Sequence, residues 1–142
     1  MTFLLDRFIT AQATSYVQAL SEIRAGRKRS HWMWFIFPQL KGLGSSSNAL
    51  YYGIEGLAEA TAYLKDKILG ARLIEISRAL LTLPGSNATT VMGSPDDMKL
   101  RSSMTLFSEV EGADAVFEQV LEKYFQGQKD ARTLAMLGQL GG

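Results

Sequence analysis

Lys28-Arg29-Ser30-His31-Trp32-Met33-Trp34-Phe35-Ile36-Phe37-Pro38-Gln39-Leu40 is the stretch that most limits how this chain folds. It holds the only histidine and both tryptophans, and it overlaps a basic cluster of Arg24, Arg27, Lys28 and Arg29. No simple amphipathic period accommodates a run this apolar and aromatic, so it has to be buried over most of its length or line a pocket. A short helix over 30–37 ended by Pro38 is one conformation; a buried strand competes, because aromatic residues also favour strands. Two indoles spaced i, i+2 cannot share one helix face. If the segment is helical, either Trp32 or Trp34 points away from the main core, as a stacking wall or an interface residue.

Around this segment the apolar spacing predicts helices joined by short loops. The first two are expected over 3–10 and 14–25, the second stopped by Gly26. The loop 42–48 offers N-cap residues for a helical turn through Leu50, Tyr51 and Tyr52. Leu57, Ala60, Thr61 and Leu64 mark a further helix. Leu69, Leu73, Ile76, Leu80 and Leu83 form the clearest single stripe, ended by Pro84-Gly85-Ser86-Asn87. Ser94-Pro95-Asp96-Asp97 reads as a helix start, with Ser94 as the cap, Pro95 at the first helical position and Asp97 completing a box-like pattern. That helix reaches about Val110. Val116, Phe117, Val120, Leu121 and Tyr124 mark the next, stopped by Gly127, and 129–140 the last. With no repeat and no dividing linker, the expected fold is mainly α: one compact domain over residues 1–142, a bundle of about seven or eight helices.

Composition removes several functions. The absence of cysteine excludes disulfides, thiolate catalysis and cysteine-bound metals, and makes a reducing cytoplasm the default location. A multi-histidine metal site cannot be built from one histidine, and no cofactor motif is present: Gly42-Leu43-Gly44 lacks the spacing of a dinucleotide or phosphate loop. No apolar run approaches the roughly 20 residues of a membrane span. The start of the chain lacks a basic region ahead of its apolar residues and does not read as a signal peptide. Before Tyr51 there are six bases and two acids; from Tyr51 on there are nine and twelve. A broad nucleic-acid surface is therefore disfavoured, while a single phosphate or carboxylate fits the local basic cluster.

The candidate chemistry gathers in two places. In the first, Lys28 and Arg29 supply donors, Trp32 and Trp34 an aromatic wall, and His31 a general acid or base. The plainer alternative for His31 is a histidine packed against aromatics with both nitrogens satisfied. In the second, Lys99, Arg101 and Ser103 lie on the helix that starts near Ser94. Asp97 is the acidic partner available to His31, although first-turn acids more often cap helices. A Ser103–His31–Asp97 triad can be written down, but no nucleophile elbow or oxyanion loop accompanies it. The closing Gly141-Gly142 reads as a frayed terminus.

These residues resemble a known family. KRSHWMWFIFPQLKGLG (Lys28 to Gly44), AYL (Ala62 to Leu64), LGARL (Leu69 to Leu73), SPDDMKLRSSMTLF (Ser94 to Phe107) and VLEKYF (Val120 to Phe125) are similar to small uncharacterised bacterial proteins, a domain of unknown function often labelled calpastatin-like. The resemblance covers nearly the whole chain. It implies a compact, helical, single-domain cytoplasmic protein and no particular activity. The family's two motif blocks map onto Lys28–Gly44 and Asp96–Phe107, which implies that they meet in space. The resulting expectation is a pocket between the blocks for an anionic small molecule, a nucleotide or another phosphorylated metabolite, with His31 and Asp97 as the residues to carry any reaction. The competing expectation is a protein-interaction or self-association module, a homo-oligomer among them, without catalysis.

Overall fold

The computed structural model describes residues 3–139. Ten helices follow one another among them: α1 (Asp6–Ala13), α2 (Tyr16–Arg24), α3 (Met33–Ile36), α4 (Ser47–Tyr51), α5 (Leu57–Lys65), α6 (Leu69–Leu81), α7 (Ala88–Met92), α8 (Asp96–Ser108), α9 (Val116–Phe125) and α10 (Ala131–Gln139). No strand forms among the described residues; the one trace of sheet is a parallel bridge between Leu40 and Ile54. The expected Gly141-Gly142 terminus lies outside the described residues.

The leucine stripe organises the interior. Leu69, Leu73, Ile76 and Leu80 of α6 are each at most 1% exposed, and α6 packs against α2, α5 and α9. Phe117 and Leu121, expected in the core, are buried on α9. Gly70 fits this crossing because any β-carbon there would run into the Leu64 backbone carbonyl at the end of α5. Helix α8 closes the other side, packing against α5, α7, α9 and α10. All helices except α4 contribute buried residues to one continuous core.

The structure differs from the sequence pattern at three points. The helix count is ten where seven or eight were expected: α3, α4 and α7 have four or five residues each, and of these only α7, too short to display a period, has no counterpart in the sequence pattern. Apolar spacing assigns no element to residues 88–92, where α7 forms; its signal is Asn87, whose side chain accepts from the Thr90 amide at 3.1 Å. Ser94 does not cap α8. The helix begins at Asp96 with no side-chain cap. Other acceptors take the amides a cap would serve: Asp97 N donates to Gly93 O (2.8 Å), and Met98 N to Pro95 O (3.1 Å) and to its neighbour's carboxylate, Asp97 Oδ1 (2.8 Å).

Candidate functional site

The aromatic run is placed by one acid that the sequence did not single out. Glu22 of α2, 9% exposed, accepts four hydrogen bonds from the segment that follows. The Arg29 and Ser30 amides donate to Oε1 (2.7 and 3.0 Å), Ser30 Oγ to Oε2 (2.7 Å), and Trp32 Nε1 to Oε1 (3.0 Å). Burial pushes its carboxyl up, but the hydrogen bonds from Ser30, Arg29 and Trp32 outweigh this and hold it down to about 2. A carboxylate with several good donors stays ionised even when buried. Trp32 is thereby fixed in the core at 2% exposure, whereas Trp34 is only half-buried. The expected divergence of the two indoles is the arrangement found.

The two motif blocks meet through charge. Lys28 Nζ lies 2.9 Å from Asp96 Oδ2 and donates to Ser30 O; its side chain is 8% exposed. Lys99 Nζ approaches the other oxygen of Asp96 at 3.6 Å. Each ammonium also faces an indole, Lys28 over Trp32 at 4.9 Å and Lys99 over Trp34 at 5.4 Å. Two cations thus share one carboxylate and two aromatic faces.

Beside Lys99 and Trp34 a cleft encloses about 250 Å³ with its open mouth included, lined further by Phe37, Gln39, Asn48 and Tyr52. It has room for about one water molecule. The Leu40–Ile54 bridge builds the far wall: Lys41 N donates to Ile54 O (2.8 Å) and Ile54 N to Gln39 O (3.0 Å). This returns the chain after α4 alongside Gln39. Gly53 is needed there, since a β-carbon would meet the Lys41 backbone at 2.7 Å.

The remaining candidates are dispersed. His31 and Arg29 are exposed, and neither lines the cleft. Arg101 donates to the carbonyls of Gln128 (2.9 Å) and Lys129 (3.1 Å) and so clamps the α9–α10 loop. Asp97 accepts from Thr89 Oγ1 at 2.6 Å, joining α8 to α7. Ser103 is fully buried, and its hydroxyl is the buried side-chain polar atom left without a partner among the described residues. Ser103, His31 and Asp97 therefore do not form a hydrogen-bonded triad. No group of three or more acidic or histidine side chains able to hold a metal occurs among the described residues.

Sequence reasoning passed over Gln39, Asn48 and Tyr52, which have no distinguishing pattern in one dimension. It also passed over Arg7, whose guanidinium reaches Glu59 Oε2 at 3.0 Å with side-chain exposures of 9% and 2%. Arg7 further donates to Tyr51 O and Gly53 O, so this ion pair anchors the end of α4 to α1.

Comparison with known proteins gives a family without an activity. Residues 2–137 match the model of a family described as a protein of unknown function, DUF1810. A 1.38 Å crystal structure of a conserved hypothetical protein from Mycobacterium tuberculosis is similar, with 50% identity and a TM-score of 0.92 over 94% of this chain and 96% of that one. Among curated proteins nothing matches. The calpastatin-like label receives no support from these comparisons.

Proposed function

We propose a ligand-binding role for this chain, which belongs to the DUF1810 family of proteins of unknown function. The site is the Trp34–Lys99 cleft, and its ligand is an anionic small molecule, a nucleotide or another phosphorylated metabolite. One observation carries this reading: Lys28 and Lys99 converge on the single carboxylate of Asp96, which leaves uncompensated positive charge at the rim of an aromatic cleft. Lys28 is buried and committed to Asp96, so Lys99, with a side chain 28% exposed, is the cation that meets the ligand. The proposal is one of binding; His31 and Asp97 do not line the cleft.

A thermal-shift survey over nucleotides and phosphorylated metabolites tests this. A ligand at roughly 100 times its Kd adds about 2.7 kcal/mol to stability. The expected result is a stabilising ligand whose effect disappears in Lys99→Ala. Equal stabilisation of Lys99→Ala, or no stabilising ligand at all, overturns the site.

A second reading rests on a different surface. Leu4, Leu50 and Tyr51 are 76%, 47% and 60% exposed and border one hollow over the Arg7–Glu59 pair. Exposed apolar groups clustered in this way mark contact surfaces. Under this reading the chain is an interaction module, and Tyr51→Lys lowers its mass in sedimentation equilibrium.

A further inference from the structure

We infer that the Trp34 cleft is a nucleobase slot, in which Gln39 and Asn48 read the polar edge of a flat heterocycle and Trp34 swings to admit it while Lys99 holds the attached phosphate. This rests on the binding role proposed above and narrows its ligand to a nucleoside phosphate.

Three observations lead there. First, the cleft carries two primary amides, Gln39 and Asn48, and neither side chain hydrogen-bonds to another group among the described residues. A primary amide presents a donor beside an acceptor, which is the pairing that nucleobase edges offer and that asparagine and glutamine recognise in two-point contacts. A phosphate alone would leave the acceptor oxygens of both amides unused.

Second, the aromatic groups of the cleft differ in how firmly they are held. Tyr52 is braced by Phe8, Phe35 and Tyr51 with ring centroids at 5.9, 5.3 and 4.8 Å. Trp34, half-buried, has no ring neighbour among the described residues, and the Lys99 ammonium lies over its ring. Of the two rings Trp34 has the fewer aromatic contacts to hold it, and the inference assigns the movement to it.

Third, the cleft has room for about one water, so a ring that enters it has to displace a wall. A flat ring requires the smallest displacement and gains stacking on the indole it displaces.

The test is calorimetric titration of the full chain with adenosine, guanosine, cytidine and uridine 5′-monophosphates, beside ribose 5-phosphate and inorganic phosphate. At least one nucleotide is expected to bind ten-fold or more tightly than ribose 5-phosphate and to quench tryptophan fluorescence, the quenching being absent in Trp34→Phe. Asn48→Ala, an exposed position whose loss leaves the core intact, is expected to remove most of the preference among bases. Lys99→Ala is expected to weaken all the nucleotides and keep their order. If ribose 5-phosphate binds as tightly as every nucleotide, the slot is overturned while the anion site stands. If no probe binds, both fall. Base-selective binding that Asn48→Ala and Gln39→Ala leave unchanged places the base elsewhere and also overturns the inference.

Discussion

Glu22 Oε1 and Trp32 Nε1, ten residues apart in the chain, are joined by a buried 3.0 Å hydrogen bond. This contact turns a solvent-avoiding aromatic run into a fixed segment. The same carboxylate also ends the conformational freedom of Arg29 and Ser30 by accepting their amides. With its carboxyl held down to about 2 against an ordinary 4.5, Glu22 stabilises the fold fully above pH 4.5. The contribution is lost as pH falls from there towards 2. Urea unfolding between pH 7 and 2 is expected to show an acid-side loss of up to about 3 kcal/mol that Glu22→Gln lacks. Identical pH slopes in the two proteins would remove Glu22 from this role.

Asp96 is shared by Lys28 and Lys99. Replacing it with asparagine leaves the buried Lys28 ammonium without its counter-charge, at a cost of about 2–4 kcal/mol. Lys28→Met in the same background is expected to recover much of that loss, giving a strong coupling in a double-mutant cycle. The asparagine variant also makes the cleft more positive, so anion affinity is expected to rise although stability falls.

Helix ends give a contrasting set. Asn87→Ala is expected to cost about 0.5–2 kcal/mol by removing the α7 cap. Asp130→Ala is expected to cost a similar amount, because its Oδ2 accepts from the Thr133 amide at 2.9 Å. Ser94→Ala is expected to be within about 0.5 kcal/mol of neutral, since Ser94 caps nothing. Chemical denaturation of the three variants checks the order.

The Ser103 hydroxyl is buried without a partner, so Ser103→Ala removes an unsatisfied polar group. The variant is expected to be neutral or up to about 1 kcal/mol more stable. A loss exceeding about 1 kcal/mol would mean that Ser103 has a bonded partner, for instance a buried water.

Close packing at the α5–α6 crossing predicts the largest backbone effect. Gly70→Ala drives a β-carbon into the Leu64 carbonyl, and is expected to cost more than the roughly 2–5 kcal/mol of the cavity made by Ile76→Ala. Melting temperatures of the two variants decide it.

The long helices were legible because each buries one face over at least two turns. The Leu69–Leu83 spacing alone locates α6 and its core residues, and the valine and aromatic spacing locates α9. The single-turn helices lacked that redundancy. Helix α7 in particular depends on a cap at Asn87 within a segment that otherwise reads as loop. The Ser94 start failed for a related reason: the cap pattern was present, but whether a side chain or a carbonyl reaches the first amides depends on backbone geometry that the residue types leave open.

For the candidate site, the sequence by itself determined where the cations and indoles concentrate, because that follows from residue type, and it tied the divergence of Trp32 and Trp34 to a helical segment, since in a strand the two would share a face. Only the tertiary structure decided which charges are available. Lys28 is consumed by Asp96, Arg101 by the carbonyls of Gln128 and Lys129, and Asp97 by Thr89, while Lys99, at a longer 3.6 Å from Asp96, keeps a partly exposed side chain beside Trp34. The physical reason is that a hydrogen bond or ion pair acts over a few ångströms, and residues 8 to 68 positions apart reach that range only when the helices that carry them are packed.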